Sequence, residues 1–133
     1  MDGASVNGKS AVGQKSAVID TGTTLILGDE SSVRALYAEI PNSKDASSTF
    51  APGFYTFPCN SVPQVSLEFG GKGFSIAPGL FNLGLVKAGS SECVGGIAAS
   101  SSLGFWIVGD VFLQNVYTSL DLGANRVGFA TLK

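Results

Sequence analysis

The residues best suited to chemistry lie in the run Ala17-Val18-Ile19-Asp20-Thr21-Gly22-Thr23-Thr24. A short apolar strand delivers the carboxylate of Asp20 to a point where the chain must turn. Gly22 is expected to take a backbone conformation that a side chain would forbid. Thr21, Thr23 and Thr24 are expected to surround the carboxylate with hydroxyl donors, which favour its ionised form. Any reaction here would therefore rest on a carboxylate and hydroxyls. Alone, Asp-Thr-Gly is a weak signal, more often an ordinary turn or helix cap.

The rest of the composition narrows the choice. The chain has 133 residues and no histidine, which excludes Ser-His-Asp and Cys-His nucleophiles and any His-ligated zinc or haem. With 8 basic and 10 acidic side chains the net charge is -2, and the lysines are scattered singly. Phosphate binding needs clustered Lys and Arg, so neither a nucleic acid nor an anionic membrane is an expected partner. A charged fraction of 14% is low and argues against disorder. The length fits one domain, residues 1–133, large enough to bury a core.

Cys59 and Cys93 lack the CxxC spacing of redox or metal motifs, which leaves one disulfide or two buried thiols. The even count and the abundant Ser, Gly and Thr favour an oxidising compartment. A bridge between them would add about 3–4 kcal/mol of stability on a chain-entropy basis. No run of 18 apolar residues is present. Met1 is followed by a polar Gly/Ser-rich run rather than a signal peptide, so a secreted protein would be represented here by a mature piece.

The elements that must position Asp20 are short. Asn7-Gly8 suits a two-residue hairpin turn between Ala4-Ser5-Val6 and Lys9-Ser10-Ala11-Val12. Ser16 to Ile19 reads as a strand. Asp29 can cap a helix that places Val33, Leu36, Tyr37 and Ile40 on one face and stops at Pro41. A polar loop is expected over Asn42 to Ser48. Strands follow at Phe54–Phe57, Val65–Phe69 and Phe74–Ile76, with a turn at Gly70-Gly71-Lys72-Gly73. Leu80 to Val86 and Glu92 to Ala98 are further apolar pieces. Trp106-Ile107-Val108 reads as a buried strand, with Trp106 in the core, and a one- to two-turn helix is expected over Val111 to Asn115. A final hairpin runs from Val116 to Ala130 with its turn at Gly123-Ala124-Asn125. Phe54, Tyr55 and Phe57 are expected to pack around Cys59. The whole reads as an all-β domain with one or two short helices, a sandwich or distorted barrel.

Taken together, these segments resemble the C-terminal lobe of a pepsin-like aspartic endopeptidase, with a flavour closest to the fungal secreted members. Asp20-Thr21-Gly22-Thr23-Thr24 is similar to the second active-site loop of that family. Trp106 to Leu113 is similar to its hydrophobic-hydrophobic-Gly strand and short helix, and Asn125 to Ala130 to its closing hairpin. The resemblance implies a single lobe of the double-β-barrel fold, a Cys59–Cys93 disulfide, no cofactor and no metal. It implies that Asp20 is one of two carboxylates that activate a water against a peptide bond. Thr23 would hydrogen-bond that carboxylate, Thr21 would reach towards the opposite lobe, and Gly22 and Thr24 would meet the backbone of a peptide or protein substrate. Asp110 would cap the short helix.

The family carries two Asp-Thr-Gly loops and this sequence has one. The resemblance therefore implies that the N-terminal lobe, its aspartate and its flap lie outside this chain, and that the chain alone does not hydrolyse peptides. A secreted or vacuolar parent is expected. Two other readings differ in class. One is a homodimer through the exposed lobe face, similar to retroviral proteases, although no flap rich in glycine and aromatic residues is evident. The other is a non-catalytic binding or antigenic module on the same scaffold.

Overall fold

The computed structural model describes residues 1–101, 104–121, 123 and 126–131. In chain order its elements begin with strands β1 (Gly3–Val6), β2 (Lys9–Val12), β3 (Ala17–Ile19) and β4 (Ile26–Gly28), then helix α1 (Glu30–Ala38). Strands β5 (Lys44–Asp45), β6 (Tyr55–Pro58), β7 (Val65–Phe69) and β8 (Lys72–Ser75) precede helix α2 (Pro78–Phe81). Strands β9 (Asn82–Leu85), β10 (Glu92–Gly95), β11 (Ile97–Ala99) and β12 (Trp106–Val108) follow. Helix α3 (Asp110–Leu113) and the strands β13 (Val116–Asp121) and β14 (Arg126–Thr131) complete the order.

The expected all-β architecture is present, among the described residues as three four-stranded sheets and a two-stranded ribbon of β13 and β14. The β1–β2 hairpin closes through Asn7 and Gly8, both at positive φ, with Val6 opposite Lys9. That is the left-handed geometry for which Asn-Gly is suited. The helix starts at its predicted cap, and Val33, Leu36, Tyr37 and Ile40 are all buried. Each such side chain contributes roughly 1.5–3 kcal/mol when taken out of water.

Several boundaries differ from expectation for local reasons. The polar loop over Asn42 to Ser48 contains β5, which pairs with β6 through Lys44 and Asp45. Leu80 to Val86 is not one piece: Pro78 starts α2, a position where the missing N–H costs nothing, and the chain leaves it directly as β9. Glu92 to Ala98 divides at Gly96 into β10 and β11, which belong to different sheets. Among the described residues there are three short helices rather than one or two. Ala124 and Asn125 of the expected final turn lie outside the described residues.

A hydrophobic cluster runs through the chain from Ala4 to Val116, with Trp106, Tyr37, Phe57, Phe81 and Phe112 fully buried. Tyr37 stacks on Tyr55 with ring centroids 4.5 Å apart, and its hydroxyl donates to the Ile97 carbonyl. Cys59 and Cys93 form the disulfide, with Cα atoms 5.1 Å apart, bracing β10 against the end of β6. The aromatic residues near it do not form one group. Phe57 lies opposite Cys93 in the core, whereas Phe54, just ahead of β6, packs edge-on against Phe50 at 5.1 Å.

The sheet that matters for Asp20 has the order β11-β4-β12-β3. Its β3–β12 and β4–β11 pairs are parallel and its β4–β12 pair is antiparallel. Parallel partners need long connections, so β12 meets β3 only after most of the chain has intervened.

Candidate active site

Strand β3 ends at Ile19 and releases Asp20, whose N–H donates to the Val108 carbonyl at 3.0 Å. The chain then turns at once. Gly22 N–H donates to Asp20 Oδ1 at 2.9 Å, and the Thr23 hydroxyl donates to Oδ2 at 2.6 Å. Each carboxylate oxygen thus has one local donor. The Thr23 hydroxyl, followed by the Gly22 amide, holds the Asp20 carboxyl below its ordinary range, against a smaller opposing effect of burial.

Two expectations about this loop need correction. Gly22 does not adopt the left-handed backbone that would demand glycine; a Cβ at that position would instead lie 3.2 Å from Asp20 Oδ1. The glycine lets the amide approach the carboxylate closely. Of the three expected hydroxyl donors, only Thr23 reaches the carboxylate, while Thr21 and Thr24 are exposed to solvent.

The loop is stitched to the chain that follows β12. Asp110 N–H donates to the Thr23 carbonyl at 2.8 Å, and Val111 N–H donates to the Thr24 carbonyl at 2.9 Å. Between β12 and these amides sits Gly109, where a Cβ would fall 2.1 Å from the Thr23 carbonyl oxygen. Only a residue without a side chain fits so close to another backbone. Asp110 is not the cap of α3. It is the first helical residue behind Gly109, and α3 has no side-chain cap. Its leading amides are already satisfied by the carbonyls of the Asp20 loop, so no cap is needed.

The same two strands are joined again at their other ends, around Asp29. Ser31 Oγ and Ser32 N–H donate to Asp29 Oδ2 at 3.0 and 3.1 Å. Trp106 Nε1 donates to Oδ1 at 2.9 Å, and Lys15 Nζ lies 3.6 Å from the same oxygen. The Trp106 ring lies against Gly28, where a Cβ would come within 2.4 Å of it. Burial pushes the Asp29 carboxyl up, but the Ser32, Trp106 and Ser31 donors outweigh it, leaving the group well below the usual carboxylate range. In sequence, Asp29 reads as a helix cap and Trp106 as core. The bond between them joins residues 77 apart, and no local pattern announces it.

Among the described residues no group of three or more His, Cys, Asp and Glu side chains could hold a metal ion. No described helix is long and apolar enough to cross a membrane.

The sequence profile of the eukaryotic aspartyl protease family matches residues 1–132, which includes the Asp20 loop and its partner strand. The chain belongs to the eukaryotic aspartyl protease family. The aspartic protease of Phaffia rhodozyma is 52% identical to this family member over 134 residues, covering 98% of this chain and 33% of that protein. Penicillopepsin-2 of Penicillium janthinellum is 36% identical, covering 97% of this chain and 32% of its own length. Aspergillopepsin-1 of Aspergillus fumigatus is 39% identical over 126 residues, covering 93% and 31% respectively. The chain spans about a third of the length of the curated relatives it matches. The β-rich fold and the Cys59–Cys93 bridge are those expected of an aspartyl protease lobe.

Proposed function

We propose that this chain is the C-terminal lobe of an aspartic endopeptidase and that Asp20 is one of its two catalytic carboxylates. The observation that carries this reading is the Asp20 loop itself. A carboxylate stands at the end of a parallel strand, fixed by Gly22 and Thr23 yet open to solvent beside exposed Thr21 and Thr24. The second carboxylate would come from a lobe outside this sequence, a reading supported by relatives about three times its length.

With both carboxylates close together, like-charge repulsion makes them share one proton. The ionised group takes a proton from a water held between them, and the water oxygen attacks the scissile carbonyl. The protonated group donates to the carbonyl oxygen. Collapse of the tetrahedral intermediate breaks the C–N bond, and the leaving amine takes a proton from the dyad. In this scheme Thr23 and Gly22 keep the Asp20 oxygens aligned, Thr21 contacts the other lobe, and Gly22 and Thr24 meet substrate backbone. Val18, two residues before Asp20 and 48% exposed, fits an apolar face that another lobe or substrate covers. The disulfide suits a secreted or vacuolar parent.

The test is peptide cleavage at pH 3–6 with Asp20→Asn as control, on this chain and on the complete protein, alongside light scattering. Asp20-dependent cleavage by the complete protein and none by the monomeric chain supports the proposal. Cleavage by a dimer of this chain that vanishes in Asp20→Asn would replace it with the homodimeric reading. Asp20-independent behaviour throughout would leave a binding module.

A further inference from the structure

Two parallel strands, β3 and β12, carry the groups that build the Asp20 loop. At their outgoing ends stand Asp20 and Gly109-Asp110, joined by the Asp20 N–H to Val108 carbonyl bond. At their incoming ends stand Lys15, Ser16 and Trp106, where Trp106 N–H donates to the Ser16 carbonyl at 2.8 Å. The Asp29 carboxylate lies at that second end and divides its oxygens between two tasks. Oδ2 caps α1 through Ser31 and Ser32, while Oδ1 accepts from Trp106 and faces Lys15.

Capping a helix requires only one oxygen. The other is committed to β12 and to the lead-in of β3, and it is the only described side-chain bond of the Trp106 indole. The ring it holds is flat against Gly28, so rotation of Trp106 would drive it into β4. A slip of β12 along β3 would shift Val108 and Gly109 past Asp20 and break the stitching on both sides of the loop.

We infer that Asp29 is a positioning residue for Asp20, acting through Trp106 and Lys15 to hold the relative register of β3 and β12. This rests on the reading of Asp20 as catalytic, although the tie between the strands does not. The charged groups around Asp29 are Lys15 from the β3 lead-in and Glu30 and Arg34 from α1, the last two sharing with it a surface hollow of about 300 Å³. Held well below the usual carboxylate range, Asp29 keeps the tie ionised in acid, where an aspartic peptidase would work.

The test compares amide hydrogen exchange and kinetics in Asp29→Ala, Asp29→Asn and Trp106→Phe, using the complete protein labelled with nitrogen-15. Asp20 N–H reports the register, and Ile76 N–H, bonded to the Val65 carbonyl in a different sheet, reports overall stability. In Asp29→Ala, Asp20 exchange is expected to rise about tenfold relative to Ile76. Peptide kcat should fall about tenfold with KM within about twofold. Asp29→Asn, which keeps an acceptor for the indole, should recover most of both effects. Trp106→Phe, which keeps the ring but lacks the donor, should reproduce the exchange effect should Asp29→Ala not fold. Exchange that rises equally at Asp20 and Ile76, or stays unchanged at Asp20, would overturn the inference. If wild-type protein shows no Asp20-dependent cleavage, the peptidase reading fails and the exchange ratio alone decides the tie.

Discussion

Asp20 and Asp29 stand at the two ends of one short stretch of chain and solve the same local problem with the same parts. Asp20 receives the Gly22 amide and the Thr23 hydroxyl; Asp29 receives the Ser31 hydroxyl and the Ser32 amide. Both carboxyls are pulled below the ordinary carboxylate range by these donors. The difference is in what remains. At Asp29 the second oxygen is spent on Trp106 and Lys15. At Asp20 each oxygen keeps lone pairs facing solvent, because a single local donor does not fill a carboxylate oxygen. Local hydrogen bonding therefore makes an anion rigid, and long-range packing decides whether it is structural or available.

The largest effect that can break this comparison is catalytic. Asp20→Asn in the complete protein should lower peptide kcat roughly 10⁴-fold, the scale seen when one member of a catalytic unit is removed. Its unfolding free energy should fall by only about 1 kcal/mol, because Asn keeps an acceptor for one of the two local donors. The comparison fails if Asn at Asp20 costs more stability than activity.

Next in size is the stability of the other site. Asp29→Ala removes a cap and leaves the buried Trp106 N–H without a partner, so urea denaturation should record a loss of about 2–4 kcal/mol. A loss no greater than that of Asp20→Ala would mean the two carboxylates are equivalent after all.

The sequence made the local half of this comparison legible. Asp-Thr-Gly before a turn, Asp29 ahead of an amphipathic helix, and Asn-Gly between short strands all work through neighbours within a few residues. The other half was not. Nothing local says that Trp106 reaches Asp29, that Val108 accepts from Asp20, or that β3 and β12 run parallel, since these depend on the way distant segments meet. The same limit explains Gly22 and Asp110. Glycine has two uses, positive φ and close approach, and only the structure tells them apart. A helix-starting Asp looks like a cap until another loop is found to have satisfied the leading amides. Resemblance to a family supplied what local pattern left open at the cysteines, by implying the Cys59–Cys93 bridge.

Acid should sharpen the comparison further. Both carboxyls have folded values below their unfolded ones, so each contributes stability that is full above the ordinary carboxylate range and lost as pH falls through the folded value. Carbon-13 titration of the two carboxyls should show Asp20 taking up its proton first in the isolated chain, and Asp29 only in stronger acid. Asp29 protonating at the same pH as an unperturbed aspartate would contradict the tie.

The smallest expected effect concerns Thr23. Thr23→Val removes the donor that does most to hold the Asp20 carboxyl below its ordinary range, so the same titration should move back towards the ordinary aspartate value. The Asp29 titration should not move. If both shift, the two sites are coupled through the intervening β4 rather than independent.

The contact of Gly109 with the Thr23 carbonyl has a consequence for the order of events in synthesis. Asp20 leaves the ribosome 89 residues ahead of Gly109, so the strand and glycine that shape its loop come later. Until they arrive, the Asp20 loop lacks the contacts with Val108, Gly109, Asp110 and Val111 that hold it in the folded protein. A nascent chain therefore passes through a stage in which the acid is already made and the site is not yet in existence.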